Sequence, residues 1–204
     1  MSSFTAPLDG AQQGRLAFDG GTPELHLSAG QSPDRLVEAS FEGHRPQIRT
    51  QDGEVALIYQ TGFLAWIRHA MRPARARVAL NPLIPWSLEF RGGVHPMTAD
   101  LRALSITAIE MQGGVSRGEL WLPRPTGTVR LSIGGGVSSL TIHRPAGTPI
   151  RVSVRGGISS VSIDGEELGG IGGGFRRETA GWHSAPDRLD LAVAGGVSNL
   201  TVTD

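Results

Sequence analysis

A Gly-Gly pair followed by a short apolar run recurs six times along this chain, and no other feature limits its folding choices so strongly. The clearest copies lie between Thr128 and Ile163. Val129, Leu131 and Ile133 alternate with polar residues, Gly134 to Gly136 interrupt, and Val137, Leu140 and Ile142 resume. After Pro145 to Thr148 the unit returns as Ile150, Val152 and Val154, then Gly156-Gly157, then Ile158, Val161 and Ile163. The other pairs are Gly20-Gly21, Gly92-Gly93, Gly113-Gly114 and Gly195-Gly196; from Gly92 they recur after 21, 22 and 21 residues, and then after 39. A period near 21 with two short alternating strands per repeat predicts an all-β fold, a single-stranded parallel β-helix (β-solenoid) in which each repeat is one coil.

In such a coil the apolar face is buried against the coils above and below, so equivalent positions pile into ladders. Val94, Val115, Val137, Ile158 and Val197 follow the pairs directly, and β-branched side chains suit a stacked, pleated interior. One residue further come His95, Ser116, Ser138, Ser159 and Ser198, a polar ladder at the corner. The apolar residues then fall at steps of three and two, as in Val137, Leu140 and Ile142, which predicts a bulge or bend after the corner. Glycine is expected there for positive φ or for close approach of backbones.

Several of these stretches resemble a known family. Gly92-Gly93-Val94, the run Thr98 to Ile106, Gly113-Gly114-Val115-Ser116, Leu120-Trp121-Leu122-Pro123 and the closing Gly195 to Val202 are together similar to the bacterial toast-rack module, the soluble C-terminal domain of LiaF-type envelope-stress proteins, related to adhesin-like β-helical modules. The resemblance runs from about Gly14 onward. It implies a non-enzymatic β-helical interaction module whose partner is a protein such as a membrane-associated stress regulator. LiaF-type proteins carry transmembrane helices before this module, whereas this sequence has no run near the ~20 apolar residues that a spanning helix needs.

Composition narrows the classes further. With 19 basic and 19 acidic residues, every basic one an arginine, the formal charge is zero, which argues against a nucleic-acid surface. There is no cysteine, hence no disulfide framework and no thiolate chemistry. Met1 to Gln13 lacks the basic start and apolar core of a signal peptide, so the expected location is cytoplasmic, with peripheral contact at the inner face of the cell membrane.

In chain order, residues 1–13 are expected to be a flexible lead-in to a single domain over 14–204, less regular over 14–91 and regular over 92–204. Leu36 to Phe41, Gln47 to Thr50 and Val55 to Tyr59 read as short strands, the last two joined by an Asp52-Gly53 turn, and this part is expected to cap the solenoid. Gly62 to Arg72 breaks the pattern. Phe63, Trp66, Ile67, Ala70 and Met71 fall on one helical face and Arg68, His69 and Arg72 on the other, which predicts a short amphipathic helix ending at Pro73. It is either an interfacial contact or a cover for the solenoid. Between Ile163 and Leu189 the repeat is stretched, and the insertion 164–187, with Phe175, Arg176, Arg177 and Trp182, is either a second candidate contact surface or a lid folded over the last coils.

Catalytic motifs are weaker. Gly114-Val115-Ser116-Arg117-Gly118 matches a nucleophile-elbow string, but that device needs a helix leaving the serine, and Glu119 to Pro123 reads as a strand. Gly169 to Gly174 lacks the Gly-Lys-Ser/Thr of a phosphate loop. The histidines His26, His44, His69, His95, His143 and His183 have no metal-ligand spacing, so neither metal nor cofactor is expected. Asp100, Glu110 and Glu119 lie in neighbouring coils and would support a carbohydrate-active site if one face gathered them. The sequence therefore predicts a module that binds rather than catalyses. A carbohydrate-binding or carbohydrate-active β-helix and a self-assembling, homo-oligomeric solenoid are the alternatives.

Overall fold

The structure is a computed structural model that describes residues 1–21, 24–43, 45–59 and 74–204. These residues form strands and turns, with no helix among them, arranged as a ten-stranded and a nine-stranded sheet. Alternation sets the two layers. In Thr128–Ile133 the residues Val129, Leu131 and Ile133 are at most 4% exposed while their neighbours face solvent. Every coil contributes in the same way to one continuous apolar core. Each aliphatic side chain so buried contributes about 1.5–3 kcal/mol against leaving it in water.

The stack is built of strand pairs, one strand in each sheet. Along it come β6 (Glu54–Ile58) with β7 (Arg75–Leu80), β2 (Gly14–Asp19) with β3 (Glu24–Ala29), and β8 (Pro85–Phe90) with β9 (Met97–Asp100). Then follow β10 (Ser105–Met111) with β11 (Gly118–Trp121), β12 (Thr128–Ile133) with β13 (Val137–His143), β18 (Arg188–Val193) with β19 (Val197–Thr203), and β14 (Ile150–Val154) with β15 (Ile158–Ile163). All pairings between these coils are parallel.

This order corrects the expectation of a single β-helix wound in sequence order. The first coil of the chain, β2–β3, sits one place in from its end of the stack, between β6–β7 and β8–β9; the last, β18–β19, sits between β12–β13 and β14–β15. Both sheets are also mixed. At one end β5 (Gln47–Gln51) lies antiparallel on β6, while β4 (Arg35–Glu42) lies antiparallel on β7 with β1 (Ser2–Pro7) on its far side. At the other end β16 (Glu166–Ile171) lies antiparallel on β15 and β17 (Phe175–Glu178) on β14. Residues 2–7, expected to belong to a flexible lead-in, are thus an edge strand, and the insertion 164–187 contributes a pair of capping strands. The strands expected around residues 36–59 are present as β4, β5 and β6, with the Asp52-Gly53 turn in positive φ. The helix expected over 62–72 lies outside the described residues.

The corner between the sheets explains the glycine pairs. A Cβ on Gly113 would lie 2.5 Å from the Gly92 carbonyl oxygen, one on Gly135 2.5 Å from the Gly114 nitrogen, one on Gly195 2.6 Å from Gly135, and one on Gly156 2.6 Å from the Gly196 nitrogen. Successive backbones touch there, and no side chain fits between them. Among the pairs only Gly20 has positive φ, so close approach, rather than left-handed backbone, requires the glycines. The residues after the pairs form the expected ladder, but in the spatial order Val94, Val115, Val137, Val197, Ile158, each at most 4% exposed.

Candidate binding surfaces

The capping strands close the end of the stack. By register Arg177 and Phe175 share the face of Val152 and Val154, and Glu166 shares the face of Ile163, so all three project on the core side of their sheets. Phe175 and Ile171 pack against the core, and Arg177 Nη2 donates to Glu166 Oε2 at 2.7 Å from one sheet to the other. An inward-facing ion pair on two edge strands opposes further pairing with another sheet. Arg176 points to the outer face and pairs with Glu178 at 2.7 Å, which together with the nearby His183 holds the Glu178 carboxyl below the usual carboxylate range.

Trp182 is not an exposed contact. It is 7% exposed, its Nε1 donates to the Leu189 carbonyl at 2.9 Å, and the guanidinium groups of Arg151 and Arg188 lie 4.0 and 4.5 Å from its ring centre. Arg151 in turn makes two hydrogen bonds to the Asp190 carboxylate, which raises the Arg151 pKa, and Arg188 donates to the carbonyls of Trp182, His183 and Ala185. The result is a clasp that fixes the segment leading into β18. Of the four candidates in the insertion, Arg176 and Arg177 reach solvent; Phe175 and Trp182 hold the structure together. The six other contact candidates, Phe63, Trp66, Ile67, Arg68, Met71 and Arg72, lie outside the described residues.

The three carboxylates are not gathered. Asp100 and Glu119 are on the outer face of the ten-stranded sheet, whereas Glu110 is exposed on the outer face of the other. Asp100 accepts two hydrogen bonds from the Arg102 guanidinium, which lowers its pKa, and Glu119 meets His143 Nε2 at 3.1 Å. Among the described residues no three metal-ligating side chains converge. Ser116 Oγ does meet His95 Nδ1, but its own N–H is bound to the Val94 carbonyl at 3.1 Å and the chain leaves it as β11. It occupies a rung of the polar ladder rather than a turn into a helix.

One surface escaped the sequence reading. On the outer face of the ten-stranded sheet, β13, β19 and β15 present Ser139, Asn199 and Ser160 in one row and Thr141, Thr201 and Ser162 in the next. Beside them Ser138, Ser198 and Ser159 line a shallow groove of about 820 Å³ walled by Gly170 to Gly172. None of these nine side chains has a hydrogen-bond partner among the described residues. The field is bordered on β11 by Trp121, half-buried and stacked on His143 with ring centres 4.9 Å apart and planes within 7°. Trp121 and His143 occupy the same repeat position one coil apart, which was the available signal.

Fold and surface together define a class, a rigid two-sheet stack of parallel coils with capped ends, whose notable features are outward faces rather than a cleft. The chain belongs to the toast-rack family: the family model described as the N-terminal domain of toast_rack, DUF2154, matches residues 1–143. The matched region ends at the last residue of β13, just before the C-terminal departure of spatial order from chain order. A provisionally assigned cell adhesion protein of Clostridium sporogenes ATCC 15579 shares the fold, with a TM-score of 0.74 at 16% identity over 99% of this chain and 97% of that one. A provisionally assigned adhesin (BF0245) of Bacteroides fragilis NCTC 9343 aligns over 98% of this chain and 97% of its own, at 11% identity and a TM-score of 0.31. No curated protein matches the chain significantly.

Proposed function

We propose that the chain is a non-enzymatic interaction module of the adhesin-like kind, resembling the soluble domain of LiaF-type envelope-stress proteins, that works by holding a rigid surface towards a protein partner. The observation that carries this reading is the dispersal of its reactive groups. Asp100, Glu110 and Glu119 are divided between two outer faces, and Asp100 and Glu119 are already engaged by Arg102 and His143. Family membership and the adhesion-related fold neighbour support it. Two contact regions are proposed, the basic, aromatic segment Phe63 to Arg72 and the Arg176 and Arg177 guanidinium groups, which reach solvent at the capped end of the stack. A membrane-associated regulator is the proposed partner, met at the membrane surface. Among the described residues no helix is long and apolar enough to cross a membrane.

The test is a pull-down from bacterial lysate with solubilised membranes, using wild type beside Trp66→Ser/Ile67→Ser and Arg176→Glu/Arg177→Glu. One membrane-associated regulator retained by wild type and lost by either variant is the expected result. Equal retention by all three chains, or none by wild type, overturns the proposal.

A further inference from the structure

We propose that the slot between β12–β13 and β14–β15 is a docking site for a second copy of this chain, whose own coil β18–β19 enters it in exchange. The contacts of the present occupant define the site. β18 pairs in parallel with β12 on one side and β14 on the other, and β19 likewise with β13 and β15. Leu189, Leu191, Val193, Val197, Leu200 and Val202 fill the core between them, each at most 3% exposed. A slot left empty exposes the edges of β12, β13, β14 and β15 with their unpaired backbone groups, which is costly, so it selects for a coil. It also selects for this coil in particular. Asp190, 7% exposed, accepts two hydrogen bonds from Arg151, and a Cβ on Gly195 would lie 2.6 Å from the Gly135 backbone. An occupant must bring a carboxylate to the first place and a glycine to the second, and residues 188–203 of another copy bring both.

Chain order leaves the slot open to exchange. Both walls precede the occupant in sequence, so once β12 to β15 are in place the slot waits for residues 188–203 to come back from the end of the stack. The strand contacts that then form are the same whether the coil belongs to that chain or to another, the condition for swapping an element between copies. What differs is the hinge, residues 179–187, between β17 and β18. The Thr179 N–H bonds to the Ile150 carbonyl at 2.9 Å and the Arg188 N–H to the Gly127 carbonyl at 2.9 Å, which holds both ends of the hinge at one end of the nine-stranded sheet. They are two strand spacings apart, from β17 across β14 to β18, or about 10 Å. Nine residues extend to about 30 Å, so the same segment reaches its own slot when folded and a neighbour's when straight. Trp182 is the one buried side chain in the hinge, and its seat between Arg151 and Arg188 holds the segment folded. Straightening the hinge unseats that ring.

The chain has no cysteine, so Ser139→Cys and Asn199→Cys each carry one thiol, at register partners on the outer face of β13 and β19. The two full-length variants are unfolded together and refolded at about 1 mM, near the effective concentration that a short flexible linker gives its own end, then treated with a short bis-maleimide. A covalent heterodimer linked through positions 139 and 199, identified by peptide mass spectrometry, is the expected product. Refolding at about 10 µM should lower its ratio to monomer about a hundredfold, by mass action. Trp182→Ala in both chains should raise the yield at that lower concentration about tenfold or more, because it releases the hinge. Thr141→Cys with Thr201→Cys, another register pair of the same strands, should behave alike. The double variant Ser139→Cys/Asn199→Cys in dilute solution should cross-link within one chain, which sets the yield for a filled slot. The proposal is overturned if co-refolding at about 1 mM gives no more heterodimer than mixing chains folded separately, if the ratio does not fall on dilution, or if Trp182→Ala leaves the yield unchanged.

Discussion

The middle of the stack and its C-terminal end use the same repeat differently. From β8 to β13 successive coils of the chain are also neighbours in the stack, and the connections are short. At the end, β18–β19 reaches back between β12–β13 and β14–β15, so that Thr128 pairs with Arg188 and Ile150 with Leu189. Nothing in the ladders distinguishes the two arrangements. Val137 is flanked by Val115 on one side and Val197 on the other, and Ile158 completes the row. Coils with one repeat pattern are interchangeable neighbours, so order must be set by what joins and latches them.

The latch is visible at the slotted coil. The Arg144 N–H donates to Thr203 O at 2.8 Å and the Asp164 N–H to Val202 O at 2.9 Å, gripping β19 from both sides. Above it the Arg144 guanidinium, buried, meets the Asp164 carboxylate at 2.6 Å and the Thr148 carbonyl at 2.6 Å. The Trp182 clasp fixes the entry to β18 in the same way. At the other end the connection is held by Asn81, 1% exposed, whose amide donates to the carbonyls of Pro33 and Arg35 and whose own carbonyl accepts from Trp86 Nε1.

The sharpest way to break the comparison is to delete residues 188–204. That removes Leu189, Leu191, Val193, Val197, Leu200 and Val202, each at most 3% exposed, and opens a gap in the middle of the stack rather than trimming its end. At about 1.5–3 kcal/mol per side chain the loss is comparable to the whole stability of a typical domain, and a cooperative thermal transition by circular dichroism should vanish. If the deleted chain still melts cooperatively, β14–β15 can close directly onto β12–β13 and the slot is not obligatory.

Next in size is Trp182→Ala, which should cost about 3–5 kcal/mol in chemical denaturation by emptying the space between Arg151 and Arg188. Hydrogen exchange should then rise in β18 before β12. Gly195→Ala should cost about 1–3 kcal/mol because its Cβ meets the Gly135 backbone at 2.6 Å, while Gly173→Ala, in open space, should stay within about 0.5 kcal/mol. Equal costs at the two glycines would refute the close-approach account of the corner.

The smallest effect belongs to the N-terminal half, where Glu89, 7% exposed, joins Arg91, Arg15 and Gln112 on the outer face of the nine-stranded sheet. The Arg91 and Arg15 guanidinium groups lower its pKa below the ordinary 4.5. A lowered carboxylate pKa contributes stability that is present above the unfolded value and is lost as pH falls through the folded one. Glu89→Gln should therefore cost about 1–2 kcal/mol near neutral pH, with the gap to wild type closing as pH drops below 4.5 towards the acid limit. A gap that persists in acid would assign the loss to packing instead.

Much of this was legible in the residues. The alternation in Val129, Leu131 and Ile133 gave the strands and their buried face, and the shared position of the residues after the glycine pairs gave the members of the ladder. The corner serines were visible as a set. Their rows with Asn199, Thr141 and Thr201 were not, because which coil lies beside which is a long-range fact. Arg176 and Arg177 reach solvent, whereas Trp182, grouped with them by proximity in sequence, is buried in the clasp. The sequence by itself determined that the chain stacks apolar coils on a glycine corner, since side-chain alternation and the absence of Cβ are local properties. Only the tertiary structure decided the order of the coils and the antiparallel caps. Identical ladders leave those choices degenerate, and contacts between residues as distant as Arg144 and Asp164 or Arg151 and Asp190 resolve them.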